Sequence, residues 1–164
     1  MKRTVEIIGL PIVSIADGME IGNVKNLIVN ADDRTINFIV VDVGMHLLGA
    51  KVIQSDKILG IGEYALTVQD ESAVSIISKV PAAIELLEKN ITVKGSKMLT
   101  EKGKMAGEVM EICVDEDDGC RIKGIEYKPF DDQSAVVFLP DECVITYGKH
   151  LVTVYETFES MTSD

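Results

Sequence analysis

Two stretches of this 164-residue chain have the same pattern of residues. Residues 18–33 read GMEIGNVKNLIVNADD, and residues 103–118 read GKMAGEVMEICVDEDD. Each stretch begins with two glycines four positions apart, continues with a run in which apolar and polar residues alternate, and ends in a pair of acids. Alternation with a period of two is typical of β-strands. The pattern therefore predicts the same β element twice in the chain.

The correspondence continues on both sides of these stretches. Gly18 and Gly22 match Gly103 and Gly107 at an offset of 85 residues, and beyond the acidic turn Ile36 matches Ile122 at an offset of 86. We predict that all four glycines are structural, at bends where a positive φ or a close strand approach favours glycine. The predicted fold is mainly all-β, with two small β-barrels in tandem over residues 1–72 and 91–164.

The segment between the two predicted barrels, residues 73–90, has the pattern of a helix. Its apolar residues recur at helical spacing: Val74, Ile77, Ile84 and Leu87. Pro81 either begins a second helix or kinks the first, since proline is tolerated only in the first turn of a helix. We predict a short helical linker here.

Composition and charge exclude several functional classes. Hydrophobic residues make up 46% of the chain, which is enough for a packed core, and the net charge is −11. Nucleic-acid binding requires clustered Lys and Arg, so DNA is not an expected partner and RNA is a poor one. No apolar run reaches the roughly 18 residues of a membrane-spanning helix, and Glu6, Gly9 and Pro11 interrupt the N-terminal stretch that a signal peptide would keep continuous. We expect a cytoplasmic protein that does not insert into membranes.

No pattern in the chain predicts catalysis or a cofactor. The GIG at 60–62 lacks the further glycine of a dinucleotide-binding loop, and neither His46 nor His150 lies in a recognisable catalytic signature. The acidic run DEDDG at 115–119 places its glycine fifth rather than sixth, which favours a hairpin turn over a calcium loop. We expect a protein that is not an enzyme and that uses no cofactor.

The cysteines all lie in the second half of the chain. With one histidine they form a set that could in principle bind zinc: Cys113, Cys120, Cys143 and His150. Their spacing is wrong for a zinc knuckle. The alignment of the two halves instead places Cys113 and Cys143 where the first half has Ile28 and Ile58, so we predict that both are core residues. Cys120 is predicted to be exposed, and a metal or redox role remains the weaker alternative.

Apolar and aromatic residues outside the predicted strands are the candidate protein-binding residues. They lie in the 44–50 loop, in the corresponding loop of the second half, and in the C-terminal tail: Met45, Leu47, Leu48, Tyr127, Phe130, Tyr155 and Phe158. Exposed apolar residues in loops usually mark a contact surface. The alternative for the 44–50 loop is that it plugs the mouth of its barrel, and the alternative for the tail is a lid on the second barrel.

The first half resembles the PRC-barrel domain, a small β-barrel named after the photosynthetic reaction centre H subunit and also found in a ribosome-maturation factor. The features that carry the resemblance extend over nearly all of residues 5–70: Ile8-Gly9 with Pro11 and Val13, the Gly18/Gly22 turn with Val24, the Asp32-Asp33 turn, the LLGAKV segment at 47–52, and the close from Asp56 to Val68. Residues 91–156 resemble the family more loosely, because KPFDDQSAVVFLP at 128–140 replaces the LLG segment.

The resemblance implies a non-enzymatic module that binds other proteins. Stand-alone PRC-barrel proteins are common in archaea, and some are similar to adaptors at the cell-division ring that bind the membrane tether of the tubulin-like division protein. We therefore expect an assembly adaptor that is recruited to the division site. We also expect it to self-associate as a homodimer, because small barrels that do not close perfectly expose strand edges that a second copy can pair with. The alternative is an accessory protein of ribosome maturation or RNA processing, as in other relatives. One fold hosts many functions, so the resemblance implies the fold more specifically than the partner.

Overall fold

The computed structural model describes residues 1–42 and 49–157. In chain order, the strands before the helix are β1 Lys2–Arg3, β2 Pro11–Ser14, β3 Glu20–Asn30, β4 Thr35–Asp42, β5 Lys51–Gln54, β6 Ile58–Ile61, β7 Leu66–Val68 and β8 Val74–Ile76. The helix α1 spans Pro81–Lys89. It is followed by β9 Lys97–Thr100, β10 Met105–Asp115, β11 Arg121–Pro129, β12 Val137–Pro140, β13 Val144–Tyr147 and β14 Leu151–Val154. Short 3-10 helices occur at Thr4–Glu6, Ser55–Lys57, Glu71–Ala73, Ile77–Lys79 and Asp141–Cys143. The prediction of a mainly β fold is confirmed.

The same pairing scheme occurs in both halves of the chain. In the first half β2 is antiparallel to β3 and parallel to β7, while β3 pairs with β4, β4 with β5, and β6 with β7. In the second half β9 is antiparallel to β10 and parallel to β14, while β10 pairs with β11, β11 with β12, and β13 with β14. The two quoted stretches thus form β3 and β10, each the first strand of a long hairpin.

Two separate barrels are not confirmed, because the described strands join into one curled sheet. Its main path runs β13-β14-β9-β10-β11-β4-β3-β2-β7-β6, and β12, β5, β8 and β1 are attached beside it. The halves meet where Thr35 pairs with Arg121. Two equivalent hydrogen bonds flank this pair: Ile36 N–H to the Cys120 carbonyl at 2.9 Å, and Ile122 N–H to the Arg34 carbonyl at 2.8 Å. The main hydrophobic core likewise contains residues from both halves.

The 73–90 segment is part of the first half rather than a free helical linker. Val74–Ile76 is the strand β8, which pairs with β5, so the helical prediction is wrong for these residues. The helix begins at Pro81 and ends before Asn90, which adopts the left-handed conformation common at helix C-termini. Ala83 of α1 packs in a small second core with Ile28, Phe38 and Val52 of the first half. A helix does lie between the two halves, but the predicted helical linker over 73–90 is not confirmed, because only Pro81–Lys89 is α-helical and it packs against the first half.

The N-terminal residues pack on the second half. Lys2 and Arg3 pair with Val114 and Cys113 of β10. Thr4 then donates hydrogen bonds from its backbone N–H, at 3.2 Å, and from its hydroxyl to the Glu111 carboxylate. The segment that precedes the first unit therefore packs on the second unit, and this ties the two halves together.

The four glycines predicted to be structural lie at bends and close approaches. Gly18 and Gly103 are in the turns before β3 and β10, at φ +71° and +85°. Gly22 and Gly107 lie within those strands. A Cβ on Gly107 would stand 2.3 Å from the Lys128 carbonyl oxygen, which only glycine avoids.

Within the described residues, no helix combines the length and the apolar character needed to cross a membrane.

Candidate functional site

A groove of about 390 Å3 lies in the second half, between the β9–β10 hairpin and the end of β11. It is lined by Thr100, Lys104, Met105, Ala106, Tyr127, Pro129, Phe130, Asp131 and Glu156. The strands β9 and β10 form one wall, and the end of β11 with the residues that follow it forms the other. We call this the β10 groove.

Phe130 is the most exposed apolar residue of the β10 groove. Its side chain is 66% exposed, although its backbone is fixed by a 3.0 Å hydrogen bond from its N–H to the Ala106 carbonyl. The Gln133 side-chain amide donates to the Pro129 carbonyl at 2.8 Å, and the Ser134 hydroxyl donates to the Asp132 carboxylate at 2.6 Å. Phe130 is therefore presented to solvent by an ordered turn.

The rim of the β10 groove is charged. Lys104 Nζ lies 3.0 Å from Glu156 Oε1, and the Glu156 N–H donates to Glu101 Oε1 at 3.1 Å. A hydrogen bond from the Thr100 side chain, together with Lys104, lowers the pKa of Glu156, so this carboxylate is ionised at neutral pH. Asp131 adds a further acid beside Phe130. The groove thus combines one exposed aromatic ring with an acidic rim.

The structure brings three of the predicted binding residues to this end of the second half. Phe130 lines the groove, and Tyr155, 42% exposed, directly precedes Glu156 of the rim. Tyr127 also lines the groove, but it lies in β11 rather than in a loop and is only 4% exposed. The prediction of Tyr127 as a loop residue is therefore wrong; its ring is part of the groove wall. Met45, Leu47, Leu48 and Phe158 lie outside the described residues.

A second groove, of about 430 Å3, lies at the equivalent place in the first half. It is lined by Glu20, Ile21, Lys51, Glu71, Val74, Ser75 and Ile76. Glu20 and Ile21 correspond to Met105 and Ala106 of the β10 groove at the offset of 85 residues. In this groove of the first half, the strand β8 supplies part of the wall. Neither groove could be predicted from the sequence, because the hairpin ends that line it meet only in the folded chain.

The cysteines are buried. The prediction that Cys113 and Cys143 are core residues is confirmed, and the prediction that Cys120 is exposed is wrong. Cys120 is buried because its turn meets the first half, where its carbonyl accepts from the Ile36 N–H. Burial raises the pKa of Cys113 and of Cys120 to about 11, so both thiols are protonated at neutral pH. Across residues 1–42 and 49–157, no three His, Cys, Asp or Glu side chains are grouped so as to hold a metal ion.

A cluster of polar groups that the sequence did not predict surrounds Arg34. Its guanidinium donates to the Asp141 carboxylate at 3.0 Å and to the carbonyls of Val144 and Ile145 at 2.9 and 2.7 Å. It also lies 5.4 Å from the centre of the Tyr147 ring, whose hydroxyl donates to Asp141 at 2.7 Å. Burial and the Asp141 carboxylate raise the pKa of Tyr147. The donors and acceptors satisfy one another, so this cluster joins the halves.

Comparison with known protein families gives one finding. The family model of the PRC-barrel domain matches residues 1–76, the range that contains the strands β1 to β8. The resemblance seen in the first half of the sequence is thereby confirmed for these residues. No curated protein matches the chain. A PRC-barrel domain over residues 1–76 suggests, at most, a protein-interaction or scaffold module.

Proposed function

We propose that this protein is a non-enzymatic adaptor, built from two PRC-type β units, that binds a partner protein at the β10 groove. The observation that carries the proposal is Phe130, which is 66% exposed on a turn fixed by the hydrogen bond to Ala106. Aromatic rings that are rigidly presented beside a groove are common anchors of protein interfaces. Covering Phe130 would remove apolar surface from water with little loss of backbone freedom.

Charge favours a partner segment that is basic around an apolar anchor. The chain has a net charge of −11, and Asp131, Asp132 and Glu101 lie near Phe130 in sequence or on the rim of the groove. A partner with Lys or Arg beside an apolar side chain would be attracted to this rim and would fill the groove. Electrostatic attraction of this kind mainly raises the rate of association and the specificity.

The particular role that we propose is that of a cell-division adaptor. What supports this role is the PRC-barrel domain of the first half, since some stand-alone PRC-barrel proteins are similar to cell-division adaptors. In this role the protein would be cytoplasmic and recruited to the division site, where it would bind the membrane tether of the tubulin-like division protein. We further propose that it works as a homodimer, since the sheet ends in strands such as β6 and β13, each with one partner among the described strands. Analytical ultracentrifugation would contradict the dimer by giving a monomer mass at micromolar concentration.

Photo-crosslinking in the native host tests the binding proposal. A photoreactive phenylalanine analogue in place of Phe130 should form a covalent adduct with one partner protein on illumination, which mass spectrometry then identifies. The matched control carries the analogue at Tyr64, an aromatic residue of the first half that is 84% exposed. The proposal predicts an adduct at position 130 that is absent at position 64.

The outcomes separate the possible functions. A division-ring protein at position 130 would support the cell-division role, whereas a ribosomal protein would favour the ribosome-maturation alternative and contradict that role. Equal cross-linking at positions 64 and 130, or none at position 130, would contradict the β10 groove as a docking site.

A further inference from the structure

The outer edge of β5 shows how an edge strand of this fold is covered. β8 lies along β5 in an antiparallel register, with Lys51 opposite Ile76, Val52 opposite Ser75 and Ile53 opposite Val74. The Ile77 N–H extends this ladder with a 2.9 Å hydrogen bond to the Ala50 carbonyl. The backbone groups of β5 on this side are therefore bound by a neighbouring extended segment.

The strand β12 is the counterpart of β5 in the second half. It pairs with β11 in the same register as β5 with β4, so that Leu139 lies opposite Ile125 where Ile53 lies opposite Ile39. Within the part of the chain that the structure describes, no strand lies along the other side of β12. Val136, at the start of this edge, is 58% exposed.

The equivalence with β5 identifies the backbone groups at the free edge. The Ala50 carbonyl accepts from Ile77, directly after β8, and alternate residues of a strand direct their N–H and C=O groups to the same side. Ala50 and Val52 therefore face β8, and their counterparts Val136 and Phe138 face the free edge. Unpaired N–H and C=O groups in a row are a template for another strand.

We propose that the free edge of β12 binds an extended segment of the partner protein as an added antiparallel strand. The proposal rests on the proposed adaptor function and specifies how the partner is held. Strand addition to an exposed edge is a recurrent mode of peptide recognition, in which the main chain provides affinity and the alternate side chains provide specificity.

The strand β8 indicates the chemistry of the segment that fits. Its residues alternate as Val74, Ser75 and Ile76, and these three line the groove of the first half. Side chains at the equivalent positions of an added strand would lie over the β10 groove. Acidic residues flank β12 in the sequence: Asp131 and Asp132 precede it, and Glu142 follows it. We therefore expect an apolar-polar-apolar segment with flanking Lys or Arg.

A synthetic peptide with the sequence SAVSIISK, which is that of residues 72–79, is a direct probe of this edge. The peptide at millimolar concentration should slow amide hydrogen exchange of Phe138 and Val136 at least about tenfold, measured by NMR on the full chain. In the protein, Ser75 of β8 and Ile77 directly after it are the residues of this segment that face β5. N-methylation of the peptide at these two positions should abolish the protection, whereas N-methylation at Val74 and Ile76 should leave most of it.

Three results would overturn strand addition. The first is no protection of the Phe138 amide by the peptide, and the second is an equal effect of the two N-methylated peptides. The third is a Phe138 amide that is already protected in the protein alone, because this chain or a second copy would then cover the edge. These results are independent of the photo-crosslinking at position 130. An adduct there without edge protection leaves the adaptor function standing and removes strand addition. Edge protection without an adduct supports strand addition and removes Phe130 as the anchor of the docking site.

Discussion

At the scale of single residues, Glu111 is a charged residue that the fold buries and surrounds with hydrogen-bond donors. It is buried, and its carboxylate accepts from the Thr4 N–H at 3.2 Å and from the Ile112 N–H at 2.9 Å, with Lys94 Nζ 3.4 Å away. Burial raises the pKa of Glu111, but the hydrogen bonds from Thr4 and Ile112 together with Lys94 outweigh burial and leave this pKa below its usual range. The ionised carboxylate therefore holds the N-terminal segment on β10.

Glu111 should make stability depend on pH. A carboxyl group whose folded pKa lies below its unfolded value of about 4.3 stabilises the fold above that pH, and the contribution is lost as pH falls through the folded pKa. We predict that Glu111→Gln reduces the loss of unfolding free energy below about pH 4.3, measured by urea titration. The control Glu142→Gln changes an exposed carboxylate and should follow the wild type. An unchanged pH profile in Glu111→Gln would contradict this role.

Gly107 should tolerate no side chain. The added Cβ would lie 2.3 Å from the Lys128 carbonyl oxygen and 3.0 Å from Cδ2 of Tyr127, both on β11. We predict that Gly107→Ala lowers the free energy of unfolding by about 2 to 3 kcal/mol, because overpacking forces the strands apart. The control Gly62→Ala meets its nearest atom at 3.8 Å and should change stability by less than about 0.5 kcal/mol. Similar urea midpoints for the two variants would refute the close approach.

At the scale of elements, the two hairpin turns join the halves. Arg34 and Cys120 occupy equivalent turn positions and adopt nearly the same left-handed conformation, at φ +56° and +57°. The side chains differ: Arg34 extends to Asp141 and the carbonyls beyond it, while Cys120 is buried. Because the backbones of the two turns are equivalent and their side chains differ, the backbone contact between the turns comes from the repeated unit. The Arg34 side chain adds further hydrogen bonds on one side of this contact.

Arg34 should matter far more to stability than the exposed arginine at the start of β11. Arg34→Met removes the guanidinium that donates to the Asp141 carboxylate and to the carbonyls of Val144 and Ile145, and it leaves Tyr147 as a donor to Asp141. We predict a loss of about 2 to 3 kcal/mol in the free energy of unfolding. The control Arg121→Met removes a half-exposed side chain 3.5 Å from exposed Asp118, and its effect should be below about 0.5 kcal/mol. Thermal unfolding followed by circular dichroism measures both. Equal losses would show that Arg34 does not hold the halves together.

The sequence predicted most of the elements because their signals are local. The alternating runs at 20–30 and 105–115 gave β3 and β10, and the offset of 85 to 86 residues predicted their shared topology. Val74–Ile76 was assigned to a helix because its apolar residues fit both helical spacing and a short strand, and pairing with β5 decides between them. The burial of Cys120 could not be predicted, since it depends on a contact with a turn 86 residues away.

At the scale of the whole molecule, the two halves form one structure rather than two. The main core contains residues from both halves, the turns meet at Thr35 and Arg121, and the N-terminal residues pair with β10. The repeated unit is thus visible in the pairing scheme, although neither copy is separate. The candidate site could be predicted only as single exposed residues such as Phe130. Its groove depends on how β9, β10 and β11 come together.

One core predicts one unfolding transition. Hydrogen exchange with mass spectrometry across a urea series should give the same midpoint for peptides of β3 and of β10, because the two strands share that core. Peptides of α1, which packs in the small second core, provide an internal comparison, since this helix lies outside the main core. Midpoints for β3 and β10 that differ by about 1 M urea or more would show that the halves unfold independently.

The most direct test of docking at the β10 groove uses the partner protein that is captured by cross-linking at position 130. Its affinity is measured for three purified forms of this chain: the wild type, Phe130→Ala and Tyr64→Ala. Isothermal titration should show that Phe130→Ala weakens binding at least about tenfold, the effect of losing about 1.4 kcal/mol at an aromatic anchor. Tyr64→Ala, which removes another exposed ring, should bind like the wild type. Equal dissociation constants for wild type and Phe130→Ala would contradict the claim that the β10 groove is where this molecule binds its partner.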